Sequence, residues 1–261
     1  MKNVIYYFSG TGNSLDIARR LHDSLDDIKL IPLPVALNHD RLESSETTGI
    51  VTPIYMHKLP YIVVDFIKKL KNTKYLFIVL SGGGETGNCI KFTQRLCANN
   101  NLTLSAIFNV KMPSNYIPFG CPSLESQQKD LENANTRVAA IANIVKSQSE
   151  HFDKNSNGFI RSNIFPGLLY KLGYSMIKKM DKRFTVDDKC SSCGICASVC
   201  PVDNIKLVDG KPVWQSDCQQ CFACLQWCPE QAIQVGKRTA TIDRYRNPNV
   251  NVKDIIESKI G

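Results

Sequence analysis

The chain has 261 residues, enough for one sizeable hydrophobic core and a second, smaller module. No run of 18 apolar residues occurs, and the first residues, MKNVIYYF, carry a single lysine, so the sequence indicates neither a membrane span nor a signal peptide. Its eleven cysteines argue against an oxidising compartment. The formal net charge of +8 does not by itself identify a partner. We therefore expect a cytoplasmic protein.

Residues 1–150 alternate short apolar runs rich in β-branched residues with amphipathic helical stretches. The apolar runs predict five strands, at Val4–Phe8, Ile28–Leu33, Gly49–Thr52, Tyr75–Leu80 and Leu102–Val110. Between the first two strands, Leu15, Ala18 and Leu21 form one helical stripe. The pattern predicts an α/β domain in which a five-stranded, doubly wound parallel sheet is covered by helices on both faces.

A glycine-rich loop follows the first strand directly and consists of Ser9, Gly10, Thr11, Gly12, Asn13 and Ser14. A phosphate there would meet backbone N–H groups at a helix N-terminus, with hydroxyls as further donors. The loop fits neither the P-loop pattern nor G-x-G-x-x-G. An ordinary glycine-rich turn remains an alternative. The segment resembles the flavodoxin phosphate loop, [ST]-x-T-G-x-[ST].

Loops after the later strands should meet this loop, because open α/β sheets bind ligands at the carboxyl ends of their strands. The resemblance to flavodoxins implies that these loops flank a flavin ring. The residues predicted to contact the ring are Pro53, Tyr55, Met56, Ser81, Gly82, Gly83, Gly84, Gly87, Asn88 and Tyr116. Tyr55 is the candidate for stacking, although a half-buried loop aromatic is the alternative. One phosphate site without an adenosine site favours FMN as the cofactor.

Residues 151–183 begin with a polar break and are predicted to be a linker with an amphipathic connector helix. Basic residues outnumber acidic ones in this segment. Its apolar stripe would dock on the protein itself or, less favourably, lie on an anionic membrane surface.

Eight of the cysteines form two copies of C-x-x-C-x-x-C-x-x-x-C-P, at Cys190–Pro201 and Cys218–Pro229. Three closely spaced thiolates bind one iron-sulfur cube, and the fourth cysteine of each copy reaches the other cube. This pattern predicts two [4Fe-4S] clusters, the first bound by Cys190, Cys193, Cys196 and Cys228, and the second by Cys200, Cys218, Cys221 and Cys224. A zinc ribbon and a disulfide framework are the competing interpretations.

Residues 184–240, with the hairpin-like segment IKLVDGKPVW between the two copies, resemble a small α+β bacterial two-cluster ferredoxin, and residues 241–261 are left as a C-terminal tail. The whole chain resembles the flavodoxin-ferredoxin fusion proteins, which are found mainly in anaerobic bacteria. The resemblance implies a redox function without a defined substrate.

Two clusters and one flavin would make a one-to-two electron converter that exchanges electrons with a redox protein. The alternative is an FMN-dependent reductase of a small organic acceptor such as a quinone. No residue is assigned a catalytic role. Clusters at about −2 each and a flavin phosphate of up to about −2 would offset most of the positive charge, so no nucleic-acid partner is expected.

Overall fold

The computed structural model describes residues 3–38, 42, 45–71, 73–84, 86–154 and 176–260. The described strands of the first part are β1 (Asn3–Tyr7), β2 (Lys29–Pro32), β3 (Ser45–Pro53), β4 (Thr73–Gly82), β5 (Leu104–Lys111) and β6 (His151–Phe152). All neighbours pair in parallel, in the order β2-β1-β3-β4-β5-β6. This is the flavodoxin-type doubly wound order with one strand added beyond β5. The predicted α/β class with a parallel sheet is confirmed.

The prediction of five strands is wrong, because β6 is a sixth strand in the described part of the chain. This strand has only two residues, too few to show an apolar alternation in the sequence. Its position is fixed by Asp153, which accepts a hydrogen bond from the Asn109 N–H at 2.7 Å and two from Arg137 Nη2 at 2.8 and 2.7 Å.

Helices cover the sheet, as the periodicity predicts. They are α1 (Asn13–Ser24), α2 (Leu33–Leu37), α3 (Tyr61–Lys69), α4 (Cys89–Asn99) and α5 (Leu124–Lys146). In α1, the stripe of Leu15, Ala18 and Leu21 is buried against the sheet. Every residue in the central part of β4 is buried, because helices cover both faces of the strand.

The second part of the chain is built around two short antiparallel pairs. Strand β7 (Phe184–Val186) pairs with β10 (Ile233–Val235), and β8 (Ile205–Val208) pairs with β9 (Lys211–Trp214). The second pair is the predicted hairpin, and it turns at two residues with positive φ, Asp209 (48°) and Gly210 (74°). Two four-residue helices, Ile195–Ser198 and Ala223–Gln226, contain the third cysteine of each triad, Cys196 and Cys224.

The predicted connector helix lies largely outside the described residues, which resume at Met176. The described part, Ile177–Arg183, is a 3₁₀ helix. Its buried Asp181 accepts hydrogen bonds from Asn204 Nδ2 at 2.9 Å and from the Ser216 N–H at 2.8 Å, which anchors the end of the connector to the cysteine-rich part.

The last residues form a structured segment that returns to the first part of the chain. The C-terminal helix, Val252–Ile260, packs against α2. Asp254 Oδ1 accepts a hydrogen bond from Arg19 Nη2 at 2.6 Å, and the Ser258 and Tyr7 hydroxyls lie 2.9 Å apart. No helix in the described ranges is both long and apolar enough to cross a lipid bilayer.

Candidate functional site

The glycine-rich loop joins β1 to α1 in a conformation that depends on Gly12. This residue has φ of 102°, a region that disfavours side chains, and its N–H donates to Ser9 Oγ at 3.1 Å. The hydroxyl-bearing residues Ser9, Thr11 and Ser14 are all buried. Because the first N–H groups of a helix have no partner within it, the start of α1 offers donors to an anion beside this loop.

A cavity of about 490 Å³ opens beside this loop, at the carboxyl ends of β1, β3, β4 and β5. Its volume lies in the range of ligand and cofactor sites. All but three of the predicted flavin contacts line it, namely Ser9, Gly10, Thr11, Asn13, Ser14, Pro53, Tyr55, Met56, Ser81, Gly82, Gly83, Gly84 and Tyr116. The structure thus brings together loops that lie far apart in the sequence.

Three predicted contacts lie outside the lining of this cavity. A Cβ on Gly12 would lie 2.8 Å from Asn247 Cβ and 2.9 Å from Val250 Cβ, so this glycine faces the C-terminal segment. A Cβ on Gly87 would lie 2.2 Å from His57 Nδ1. Asn88 immediately precedes α4.

The cavity is also lined by residues outside the predicted set of ring contacts. They are Ile54, His57, Pro113, Ser114, Asn115, Phe119, Met180 and Gln220. Asn115, in the proline-rich loop after β5, donates from Nδ2 to Thr11 Oγ1 at 3.1 Å. Met180 and Gln220 come from the second part of the chain, and no local sequence signal identifies them.

Tyr55 occupies the inner wall of the cavity. It starts a tight turn in which Met56 and His57 have positive φ. Its ring packs edge-on against Phe8 with centroids 6.4 Å apart. The hydroxyl is buried and has no hydrogen-bond partner among the described residues. Burial raises the pKa of this phenol well above its usual value, and Cys221 and Cys218 raise it further.

Three consecutive glycines, Gly82, Gly83 and Gly84, lie at the end of β4, and a side chain would not fit at Gly83. A Cβ on Gly83 would lie 2.6 Å from Ser114 Cβ, whereas Gly84 has no atom within 4 Å of that position. The absence of a side chain at Gly83 therefore allows the loop after β5 to close on the loop after β4.

The cysteines of the two repeats line two separate cavities. One is lined by Cys190, Cys193, Cys196 and Cys228, and the other by Cys200, Cys218, Cys221 and Cys224. Each cavity therefore contains three cysteines of one repeat and the last cysteine of the other. Within the described residues, no group of three His, Cys, Asp or Glu side chains is arranged to hold a single metal ion.

The two repeats share an unusual backbone conformation. Ser192 and Gly194 have positive φ in the first repeat, and Gln220 and Phe222 have it at the corresponding positions of the second. This conformation turns the chain around each cavity. Backbone N–H groups point at the sulfurs, with Asn204 donating to Cys200 Sγ at 3.3 Å, Gln220 to Cys218 Sγ at 3.2 Å and Ala232 to Cys228 Sγ at 3.3 Å.

Burial is the largest cause of the raised pKa values of Cys196 and Cys218. It raises the pKa of Cys196 to about 11, and the nearby Cys193, Cys228 and Cys190 contribute to the increase. Burial also raises the pKa of Cys218 to about 12. These thiols would become thiolates only when a metal takes the place of the proton.

The cavity beside the glycine-rich loop shares a wall with the second cysteine set, which consists of Cys200, Cys218, Cys221 and Cys224. A Cβ on Gly10 would lie 2.6 Å from the Cys221 carbonyl oxygen and 2.8 Å from Cys221 Cβ. Trp227 Nε1 donates to the Gly10 carbonyl at 2.9 Å. The Tyr116 ring contacts the Phe222 ring edge-on, with centroids 5.0 Å apart.

Comparison with known proteins identifies the second part of the chain. Residues 183–229 match the family profile of the 4Fe-4S dicluster domain. The matched residues contain both cysteine repeats, and the match supports an iron-sulfur domain in the second part of the chain. No curated protein matches the chain.

Solved structures resemble about half of the chain, and only weakly. Rubredoxin oxygen:oxidoreductase from the anaerobe Desulfovibrio gigas has 20% identity over 56% of this chain and 36% of its own, with a TM-score of 0.36. An FMN-dependent NADH-azoreductase from Bacillus anthracis, solved with FMN, has 12% identity over 56% of this chain and 99% of its own, with a TM-score of 0.39. The Trp repressor binding protein of Bacillus subtilis has 15% identity over 54% and 96%, with a TM-score of 0.35. These similarities are too weak to assign a function.

Proposed function

We propose that the chain is an electron-transfer protein that binds FMN and two [4Fe-4S] clusters and passes electrons between them. The proposed ligands are the two cysteine sets that line the two cavities. Supporting this proposal are the crossed composition of each set, which two-cluster ferredoxin motifs require, and the match of residues 183–229 to a 4Fe-4S dicluster domain.

The residues around the cavity beside the glycine-rich loop, which we call the flavin-type cavity, fit FMN. Buried hydroxyls and the N-terminus of α1 would hold its phosphate without a lysine. Apolar and backbone groups from the loops after β3, β4 and β5 would enclose its ring. The Tyr55 hydroxyl on the inner wall has no hydrogen-bond partner among the described residues, and a bound cofactor would satisfy it, since a buried polar group without a partner is costly.

The single observation that carries the proposal is the wall shared by Gly10 and Cys221. Gly10 lines the flavin-type cavity, and Cys221 lines the second cysteine cavity. Electron transfer requires cofactors that lie close together, and this contact brings the two sites together within one molecule. When bound, the clusters would supply one-electron chemistry and the flavin would accept one or two electrons.

The role of the protein residues is to position these groups. The N–H groups of Asn204, Gln220 and Ala232 donate to cysteine sulfurs and would set the cluster potentials. We further propose a redox protein as the physiological donor or acceptor.

Electron exchange in the reconstituted protein tests this function against that of a reductase. Dithionite-reduced, desalted protein is mixed anaerobically with a panel of quinones, other organic oxidants and one-electron acceptor proteins. We expect electrons to pass to one-electron acceptors without strong preference. Rapid and complete oxidation of the reduced protein by one small organic acceptor, with slow oxidation by all the others, would show instead an FMN-dependent reductase fed by its own iron-sulfur domain.

A further inference from the structure

The two cysteine sets lie in different surroundings. In the first set, Cys193 is exposed and Cys190 and Cys228 are partly exposed. All residues that line this cavity in the described structure fall within residues 190–233. In the second set, Cys200, Cys221 and Cys224 are buried and only Cys218 is partly exposed. The first set thus faces solvent, while the second lies inside the molecule.

Gln220 connects the second set to the flavin-type cavity. Its backbone N–H and its side-chain Nε2 both donate to Cys218 Sγ, at 3.2 and 3.3 Å. The same residue lines the flavin-type cavity. Gln220 therefore lies between a proposed cluster ligand and the proposed flavin.

Further contacts place the same set against the cavity. The next residue, Cys221, meets Gly10 of the glycine-rich loop without room for a Cβ. Phe222 packs on Tyr116, which also lines the cavity.

We infer that the cluster bound by the second set exchanges electrons directly with the flavin, and that the cluster bound by the first set exchanges electrons with other molecules. This inference rests on the proposed function. A low-potential one-electron donor would lose one electron to the first cluster, which passes it through the second cluster to the flavin. Two such passes, with protons taken from water, would complete the two-electron reduction of FMN.

Phosphorus NMR of bound FMN tests which cluster lies beside the flavin. Reduced [4Fe-4S] clusters are paramagnetic and broaden the signals of nearby nuclei, and the proposed phosphate site adjoins Cys221. The full-length proteins compared are the parent, Cys193→Ala and Cys221→Ala, each reconstituted and reduced with dithionite. We expect a broad phosphate line in the parent and in Cys193→Ala, and a narrow line in Cys221→Ala.

A narrow line in Cys193→Ala together with a broad line in Cys221→Ala would overturn the inference, as would a line that neither substitution changes. If Cys221→Ala does not retain flavin, Cys193→Ala decides alone, because its line must stay broad. Cys193→Ser replaces Cys193→Ala if the alanine variant does not fold. Iron analysis of each variant establishes which cluster has been lost.

The proposed entry of electrons at the first cluster is tested with a reduced two-[4Fe-4S] ferredoxin as the electron donor. Anaerobic rapid mixing follows the bleaching of the flavin absorbance. We expect Cys193→Ala to lose the fast bleaching of the parent while its phosphate line stays broad. Bleaching as fast as in the parent would show that electrons enter elsewhere. Zinc in place of iron, or no bound flavin, would refute the proposed function itself, whereas both cofactors present with the opposite NMR result would refute only this order.

Discussion

Among single residues, Tyr55 has an unusual environment, because its hydroxyl is buried without a hydrogen-bond partner among the described residues. A buried phenol without a hydrogen-bond partner in the described structure costs about 1–3 kcal/mol. Tyr55 lines the flavin-type cavity, and Cys221 and Cys218 are near enough to affect the pKa of its phenol, so the proposed flavin and a proposed cluster sulfur are its two candidate acceptors. A hydrogen bond to either group would stabilise its reduced, more negative form.

We therefore expect Tyr55→Phe to lower the reduction potential of at least one cofactor without loss of protein stability. Potentiometric titration of the reconstituted protein measures the potentials, and thermal unfolding measures stability. Tyr75→Phe is the matched control, because the Tyr75 hydroxyl donates to the Ser149 carbonyl at 2.8 Å, away from the cavity. The control should cost about 1 kcal/mol and leave the potentials unchanged. Unchanged potentials in Tyr55→Phe would show that its hydroxyl contacts no cofactor.

Gly10 is the second residue on which the site depends. In Gly10→Ala, the new Cβ would meet backbone atoms of Cys221, which can move only with the cysteine loop. We expect a loss of about 1–3 kcal/mol in the free energy of unfolding and slower passage of electrons to the flavin. Chemical denaturation and rapid-mixing absorbance measure these effects.

Gly84→Ala is the control for Gly10→Ala, because a Cβ at Gly84 meets nothing within 4 Å although this residue also lines the cavity. Equal stability and equal electron-transfer rates in the two variants would contradict the close approach of Gly10 to Cys221.

At the scale of elements, the C-terminal segment holds the glycine-rich loop in place. The buried Tyr245 donates from its hydroxyl to Asn13 Oδ1 at 2.7 Å, and the Asn247 N–H donates to the Thr11 carbonyl at 2.9 Å. Gln226, within the second cysteine repeat, accepts a hydrogen bond at its Oε1 from the Tyr245 N–H at 2.9 Å. The segment therefore connects the proposed phosphate site to the iron-sulfur part.

Tyr245→Phe should weaken FMN binding, because Asn13 Oδ1 loses the shorter of its two hydrogen bonds and keeps only the one from Asn247 Nδ2 at 3.2 Å. The stability loss should be about 1 kcal/mol, the value of one hydrogen bond. Flavin fluorescence titration and thermal unfolding measure the two effects. Thr241→Ala, which removes only an exposed hydrogen bond to the Arg238 carbonyl, serves as the control. An unchanged FMN affinity in Tyr245→Phe would show that the segment does not support the loop.

Strand β6 depends on the charge of Asp153. Burial raises the pKa of this carboxyl, but hydrogen bonds from the Asn109 N–H, His151 and Arg137 outweigh it and lower the pKa below 3.8. The stability that Asp153 contributes is therefore present above pH 3.8 and is lost as the pH falls through the lower, folded-state pKa. Asp153→Asn should be less stable than the parent at neutral pH, and the difference should shrink under acid conditions. A difference that does not change with pH in urea unfolding would contradict this role.

At the scale of the whole molecule, the sequence predicted those features that are encoded locally. The cysteine spacing grouped the eight cysteines into the two sets that line the two cavities. The parallel strands brought distant loops to one edge of the sheet. Gln220 and Met180 were missed because the docking of two modules leaves no periodic signal in either one. The two-residue β6 and the role of the C-terminal segment were missed because isolated side-chain hydrogen bonds fix them.

The most direct test of the central claim is the cofactor content of the full-length protein reconstituted under anaerobic conditions. Iron and sulfide analysis, acid extraction of the flavin and the absorption spectrum are measured on one sample. We predict about eight iron and about eight sulfide per chain, as two [4Fe-4S] clusters require, together with one FMN. Colourless protein, or zinc bound to the cysteines in place of iron, would contradict the account.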